Sequence, residues 1–251
     1  MRAVIIATMG LSPPVVTEFL QYLISEGEDV GKIILLSTEE ESVLAGSKLV
    51  EVAVKSRYPR IEVDLEVFPY QDVDDEERAF DFLIRVAKLI PDLRSYRPYF
   101  LISGGRKVMS IELAMMSSLF PSGGVYHVVA RDVKVANMLL ESLREKIKEL
   151  YKASDPLSFY RSVEDFEKLM WPPRSEYSVI RIPSIPYPDE VLEEVVRVLE
   201  GARKEEVRFN MVALMGQLGL IQVSGGRTIP TEYGRKLLKF LSEIMRTEAN
   251  S

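Results

Sequence analysis

Through its first two thirds the chain alternates apolar runs of strand length with amphipathic stretches of helical spacing. Arg2–Thr8 (RAVIIAT) is an unbroken apolar run and predicts a buried strand. Pro13–Glu26 follows with helical spacing, its two leading prolines acceptable in a first turn. Lys32–Ser37 (KIILLS) is a second buried strand, and Thr38–Arg57 a long helix with Ser37 or Thr38 as its cap and Glu39–Glu41 at its positive end. Ile61–Phe68 alternates with period two, which predicts a strand nearer an edge. Then come an amphipathic helix at Asp74–Ile90, a strand at Tyr99–Ser103, a helix at Arg106–Phe120, a strand at Val125–Ala130 and a helix at Val133–Tyr151. Strands alternating with helices in this way call for an α/β fold: a Rossmann-like, mostly parallel sheet with helices on both faces.

The pattern changes after Lys152. Five prolines, Pro172, Pro173, Pro183, Pro186 and Pro188, stiffen the stretch that follows Trp171, within which Tyr177–Ile182 has the composition to add a strand. A helix resumes at Asp189–Glu200 and another at Met211–Leu218, stopped by Gly219. Two short strands, Leu220–Val223 and Thr228–Pro230, flank a Ser224-Gly225-Gly226-Arg227 turn, and Thr231 caps a last helix that runs to about Met245. Helix, helix, hairpin, helix is the order of a small winged-helix-like domain. The expected division is a ligand-binding domain over 1–152, a proline-rich connector over 153–188 and a winged-helix-like domain over 189–251.

Composition narrows the chemistry. The 251 residues are 47% hydrophobic, enough for one large core and one small one. The net charge is −6, which argues against a protein that coats nucleic acid along its whole surface. The absence of cysteine excludes disulfides, thiolate metal sites and a cysteine nucleophile, and a single histidine, His127, excludes a two-histidine acid–base pair. No metal site and no cofactor is expected. Charged residues make up 28% of the chain while Asn and Gln are scarce, a balance seen in thermophiles. The first apolar run is too short to span a membrane and lacks a signal-peptide pattern, so a cytoplasmic location is expected.

Two loops carry the candidate chemistry. Thr8-Met9-Gly10-Leu11-Ser12-Pro13-Pro14 leads from the first strand into the first helix, and Ser103-Gly104-Gly105-Arg106-Lys107 leads from the fourth strand into the fourth helix. Strands one and four flank the switch in strand order of a common Rossmann sheet, where ligands bind. Amides at a helix N-terminus favour an anion, and glycines admit close approach to the backbone. Arg106 and Lys107 are cations at the positive end of a helix, an unfavourable placement that a bound anion offsets. Neither loop has the glycine spacing of a dinucleotide or nucleoside-triphosphate motif.

An N-terminal strand followed by GLSPPVVTE, with a later LISGGRKVMS, resembles the CRISPR-associated Rossmann fold (CARF), and within it the ring-nuclease branch. The resemblance covers roughly residues 1–150. It implies a homodimer that binds cyclic tetra-adenylate across its two-fold axis and cuts it without metal to di-adenylate ending in a 2′,3′-cyclic phosphate, switching off type III CRISPR signalling. Ser12, Arg106 and Lys107 match the functional positions, and Lys168 is a counterpart of a second lysine that some ring nucleases place over the ligand. Met9, Gly10, Leu11, Thr38, Ser103, Gly104 and Gly105 would line the ligand. The related effectors with a HEPN ribonuclease domain carry an arginine–histidine motif that this chain lacks, since His127 lies in an apolar strand behind Phe120, Pro121 and Ser122.

The C-terminal segment supports an alternative. Residues 203–239 hold seven basic side chains against three acidic ones. Arg227 falls at the tip of the expected wing, and Arg208 and Asn210 begin the expected recognition helix. The alternative is a transcription regulator that senses cyclic tetra-adenylate and binds DNA. A shortened positioning helix between Gly201 and Phe209 counts against DNA contact.

Overall fold

The computed structural model of the chain describes residues 1–90, 93 and 95–249. Its elements, in chain order, are β1 (Arg2–Thr8), α1 (Pro14–Ser25), β2 (Val30–Thr38), α2 (Glu41–Arg57), β3 (Glu62–Phe68), α3 (Glu76–Leu89), β4 (Tyr96–Leu101), α4 (Lys107–Met116), β5 (Gly124–Ala130), α5 (Val133–Lys152), α6 (Pro156–Ser162), α7 (Glu164–Met170), β6 (Tyr177–Ile182), α8 (Asp189–Leu199), α9 (Phe209–Gln217), β7 (Ile221–Ser224), β8 (Arg227–Pro230) and α10 (Glu232–Ala249). They form two compact units: Met1–Asp75 with Leu93–Ser184, and Glu76–Asp92 with Ile185–Ser251.

The first unit is built on a six-stranded sheet of order β3-β2-β1-β4-β5-β6. The first five strands run parallel and β6 returns antiparallel to β5. β1 lies in the middle, and its residues Ala3 to Thr8 are fully buried, as a strand covered on both faces requires. Ala3, Ile5 and Ala7 join Ile33, Leu35, Tyr99 and Leu101 in a core shared with Phe19, Leu20, Leu49, Val50 and Leu143 from α1, α2 and α5. Val4 and Ile6 are buried toward the other face, as are Met109, Leu113 and Met116 of α4. β3, at the edge, keeps most of its side chains at least partly exposed, in line with its alternating sequence. Pro98 is accommodated in β4 because the ladder to β5 begins only at Tyr99, so its missing N–H costs no bond there.

Several local expectations are revised. β2 runs on through Thr38, which is buried at the strand end, and α2 starts at Glu41 after Glu40, so neither Ser37 nor Thr38 caps the helix. The stretch 153–182 is more than a connector. Asp155 caps α6 by accepting from the Ser158 amide, α7 packs Phe166 and Leu169 into the sheet core, and β6 completes the sheet. The composition change after Lys152 reflects short elements with little helical periodicity. The linking stretch free of secondary structure is confined to residues 183–188.

The second unit joins α8, α9, the β7–β8 hairpin and α10 with helix α3, which the sequence pattern assigned to the first domain. Phe80 of α3 meets Tyr233 of α10 edge to face, and Lys236 forms ion pairs with both Glu76 and Glu77. In the stretch between Gly201 and Phe209 there is no helix, only turns and a bridge from Arg203 to Arg227. Thr228 fastens the hairpin by donating to the Val198 carbonyl (2.7 Å), and Thr231 caps α10, accepting from the Gly234 amide. The unit's order is thus helix, helix, hairpin, helix, with no further helix between α8 and α9.

Candidate functional site

The β1–α1 and β4–α4 loops emerge side by side because β1 and β4 are neighbours, and they are locked together by their backbones. The buried Thr8 hydroxyl donates to the Gly104 carbonyl at 2.6 Å. A side chain at Gly10 would put its Cβ 2.5 Å from the Gly105 amide nitrogen, and one at Gly104 would overlap the Thr8 carbonyl oxygen. Gly105 also holds a φ of +78°, a conformation that L side chains rarely adopt. The glycines therefore let one loop approach the other, a role in addition to any closeness to a ligand. Ser110 reinforces the turn by donating to the Gly104 carbonyl at 3.0 Å, and Ser103 Oγ accepts from the Val128 amide at 2.6 Å, tying the loop to β5.

The cations stand at the start of α4. Arg106 is its extended N-cap residue, and Lys107 its first helical residue. Arg106 Nε pairs with Asp72 Oδ1 at 2.8 Å, and the same carboxylate oxygen accepts from the Val73 amide at 2.7 Å. Asp72 thus fixes the guanidinium from the loop after β3. Lys107 is exposed and has no ion pair among the described residues, so its charge is available at the positive end of a ten-residue helix.

Beside these loops a cleft of about 590 Å³ opens between α1, the end of β5, α5 and α7. Ser12, Ser103 and Lys168 all line it, although Lys168 is far from the other two in sequence. Lys168 Nζ meets Glu164 at 3.0 Å and Asp165 at 3.1 Å, and hydrogen bonds to these carboxylates hold its pKa above the usual lysine range. His127 is only partly covered and lines the same cleft. So does Glu18, which burial and the nearby Glu176 carboxylate push up to about 7.

The remaining expected residues divide. Met9 and Thr38 are core side chains, 2% and 5% exposed, and offer no side-chain surface to a ligand. Leu11 is 47% exposed, and α4 leaves the apolar residues Val108, Ile111 and Met115 uncovered as well. Glu112 shares that helix, and burial alone pushes its carboxyl up to about 8. In the second unit Arg208 is engaged twice by Glu194, through its backbone amide (2.8 Å) and its guanidinium (2.9 Å). Arg227 reaches only the Gly201 carbonyl, and Asn210 Oδ1 accepts from its neighbour Met211. Among the described residues no group of three or more acidic, histidine or cysteine side chains is placed to hold a metal ion, and no helix is long and apolar enough to cross a membrane.

Asp72 and Glu18 are not singled out by the sequence pattern. Asp72 lies in an acidic run, DVDDEE, that reads as solvated surface, whereas Glu18 breaks the apolar face of α1 and is legible there as a buried acid.

A parallel sheet with an anion-favouring loop on each side of its strand-order switch is the architecture of the CRISPR-associated Rossmann fold. The chain belongs to the family described as CRISPR-associated protein NE0113, whose model matches residues 12–217. It is 24% identical over 165 residues to the CRISPR system ring nuclease SSO2081 of Saccharolobus solfataricus, an alignment that takes in 59% of this chain and 90% of that protein. These matches bear out the family resemblance carried by the two loops, its ring-nuclease branch included. Among solved structures, that of Enterococcus italicus Csm6 bound to cyclic hexa-2′-fluoro-hexa-dAMP aligns with 98% of this chain at 11% identity and a TM-score of 0.46, and this chain spans 54% of its length.

Proposed function

We propose that the protein is a ring nuclease that binds cyclic tetra-adenylate at the interface of a homodimer and cuts it without a metal ion. The single observation that carries this reading is the convergence of Ser12, Ser103 and Lys168 on one cleft beside the backbone-locked GGRK turn. The reaction would proceed by attack of a ribose 2′-oxygen on the adjoining phosphorus. The 2′-O–P bond forms, the P–O5′ bond breaks, and the proton lost by the 2′-OH is made up at the departing 5′-oxygen. Two such cuts yield di-adenylate with 2′,3′-cyclic phosphate ends.

Holding the 2′-oxygen, phosphorus and leaving oxygen in line supplies much of the acceleration, and rigid loops suit that task. Lys107, Arg106 and the α4 amides would stabilise the charge that builds on the phosphoryl oxygens. Ser12, uncharged and at the cleft wall, would orient the 2′-OH or a phosphate oxygen. A ring with two-fold symmetry needs matching loops from two subunits, and the exposed Leu11, Val108, Ile111 and Met115 provide apolar surface for that pairing.

The test is incubation of the protein with cyclic tetra-adenylate in EDTA, with chromatography of the nucleotides. Di-adenylate with a 2′,3′-cyclic phosphate is expected, and Ser12→Ala should bind the ring but cut it at least tenfold more slowly, an order set by the rate cost of misalignment. An intact ring after prolonged incubation, or a monomer by light scattering with ligand present, overturns the reading.

A further inference from the structure

The cleft has a mixed lining, and its carboxyls Glu18 and Glu176 have no role in the cutting reaction just described. Ser12, Ser103 and Lys168 bring hydroxyls and a cation to it, the chemistry of a phosphate contact. Its wall also carries Glu18 and Glu176 and the apolar side chains Val15, Leu139 and Leu169. Two neighbouring carboxyls repel a phosphate, while an apolar wall suits the flat face of a base. Glu18 is 7% exposed and makes no hydrogen bond or ion pair among the described residues, yet it lines the cleft. A buried carboxyl without a partner is costly, so a ligand that completes its bonding gains accordingly.

We propose that Glu18 reads the base of the bound nucleotide as a neutral carboxylic acid, donating its O–H to a ring nitrogen of adenine and accepting a hydrogen bond from the exocyclic amine. This rests on the reading of the ligand as a cyclic oligoadenylate. Adenine presents an acceptor beside a donor along one edge, the pattern that Gln and Asn amides match two-fold. A neutral carboxyl has the same adjacent donor and acceptor, whereas an ionised one has only acceptors. On the N7 edge, guanine and hypoxanthine present two acceptors, N7 and O6, and a carboxyl with one proton cannot donate to both.

The surroundings favour the neutral form. Burial first, then the Glu176 carboxylate, raises the Glu18 pKa to about 7. Tyr177 lies close enough for the Glu18 charge to contribute to its own elevated pKa, and its hydroxyl is buried without a partner. The other charged or titratable groups on the cleft are Arg131 and Asp132 after β5, Lys168 on α7 and His127 on β5. The test must separate the effect of Glu18 from that of these groups.

Binding is measured by fluorescence or calorimetry at pH 6 and pH 8.5, using cyclic tetra-adenylate and the same ring with inosine in place of adenosine. The Ser12→Ala background slows cutting of the ring during the measurement. In that background Glu18 itself should prefer adenine over inosine at pH 6 and weaken its grip on adenine by roughly tenfold or more at pH 8.5, as the neutral fraction falls. Glu18→Gln, which keeps a donor beside an acceptor, should hold the preference at both pH values and lose the pH dependence. Glu18→Leu should bind both rings alike. If Glu18→Gln weakens with pH as Glu18 does, the titrating group is another, and the proposal fails while the ring-nuclease reading stands. Adenine preference surviving in Glu18→Leu has the same meaning. Failure of the Glu18-bearing protein to bind cyclic tetra-adenylate at either pH removes the reading of the ligand and the proposal with it.

Discussion

The two units place their polar residues in opposite ways. In the first, the loops beside β1 and β4 are fixed from within by a threonine–carbonyl bond and glycine backbones in contact; Lys107 and Ser12 are exposed, and Lys107 has no ion pair among the described residues. In the second, several of the basic side chains that stand out in the sequence are engaged by the unit itself. Lys236 is held by Glu76 and Glu77, Arg208 by Glu194, and Arg235 donates to the Pro230 carbonyl. The helix in the recognition position, α9, exposes Phe209 (87%), Leu214 (51%) and Leu218 just past its end (62%), an apolar rather than a cationic surface. A count of charges along a chain therefore says little about binding until their partners are known. Lys107, unlike Arg208 and Lys236, has no ion pair among the described residues.

The largest effect should come from disturbing the contact between the loops. In Gly104→Ala the new methyl group overlaps the Thr8 carbonyl oxygen, a backbone atom with no flexible end to yield. Overpacking of this kind costs about 1–3 kcal/mol, and the shift of the turn should abolish ring cutting. Gly216→Ala in α9 is the matched control. Nothing lies within 4 Å of its added Cβ, so it should raise stability by about 0.5–1 kcal/mol and leave cutting unchanged. Thermal unfolding and single-turnover assays on the pair check both halves. Equal behaviour of the two variants would mean that the glycines of the GGRK turn are ordinary turn residues.

Next in size are the exposed cations. Lys107→Ala and Arg106→Ala should each weaken binding or cutting of cyclic tetra-adenylate by at least tenfold, since a charge-assisted phosphate contact is worth about 1.5–3 kcal/mol. Arg208→Ala and Arg227→Ala should leave both unchanged. Arg208→Ala should instead lower stability, because it frees the Glu194 carboxylate, a side chain only 9% exposed. Loss of ring binding in Arg227→Ala, or ligand-dependent shifting of a DNA band by the unaltered protein, would restore the second unit as a nucleic-acid reader.

Much of this layout is legible in the order of residues alone. The apolar runs at 2–8 and 32–37 can only be central strands, and the order of strands and helices places the loops after β1 and β4 side by side. What is not legible depends on partners distant along the chain. The glycines read as turn formers, but their contact with each other is a product of sheet order. Nothing in the periodicity of Glu76–Leu89 says that its apolar face belongs with α10 rather than with the neighbouring strands. Thr38 has the residue type of a helix cap, and the β2 ladder to Phe68 claims it instead. Lys168 sits in a helix of seven residues with no distinctive motif, and only α7 packing into the sheet core carries it to the cleft.

Lys168 gives the smallest and most discriminating prediction, because its charge already has partners. Glu164 and Asp165 lie on its own helix, four and three residues earlier, and all three side chains are about half exposed or more. Exposed pairs of this kind are weak, so a phosphate arriving in the cleft can take the lysine over at little cost. Lys168→Ala removes a cation and leaves the two carboxylates uncompensated, and binding should weaken by roughly two- to fivefold, more at low salt. Glu164→Gln with Asp165→Asn should do the reverse, tightening binding by a similar factor because the ammonium group no longer has to be drawn away. A lysine that is only solvated surface would show the first effect weakly and the second through bulk charge alone. The triple variant decides between these. Once Lys168→Ala is present, neutralising Glu164 and Asp165 should bring binding back only to the level of general charge relief, and the gap between that level and the tightened double variant is the contribution of the lysine itself.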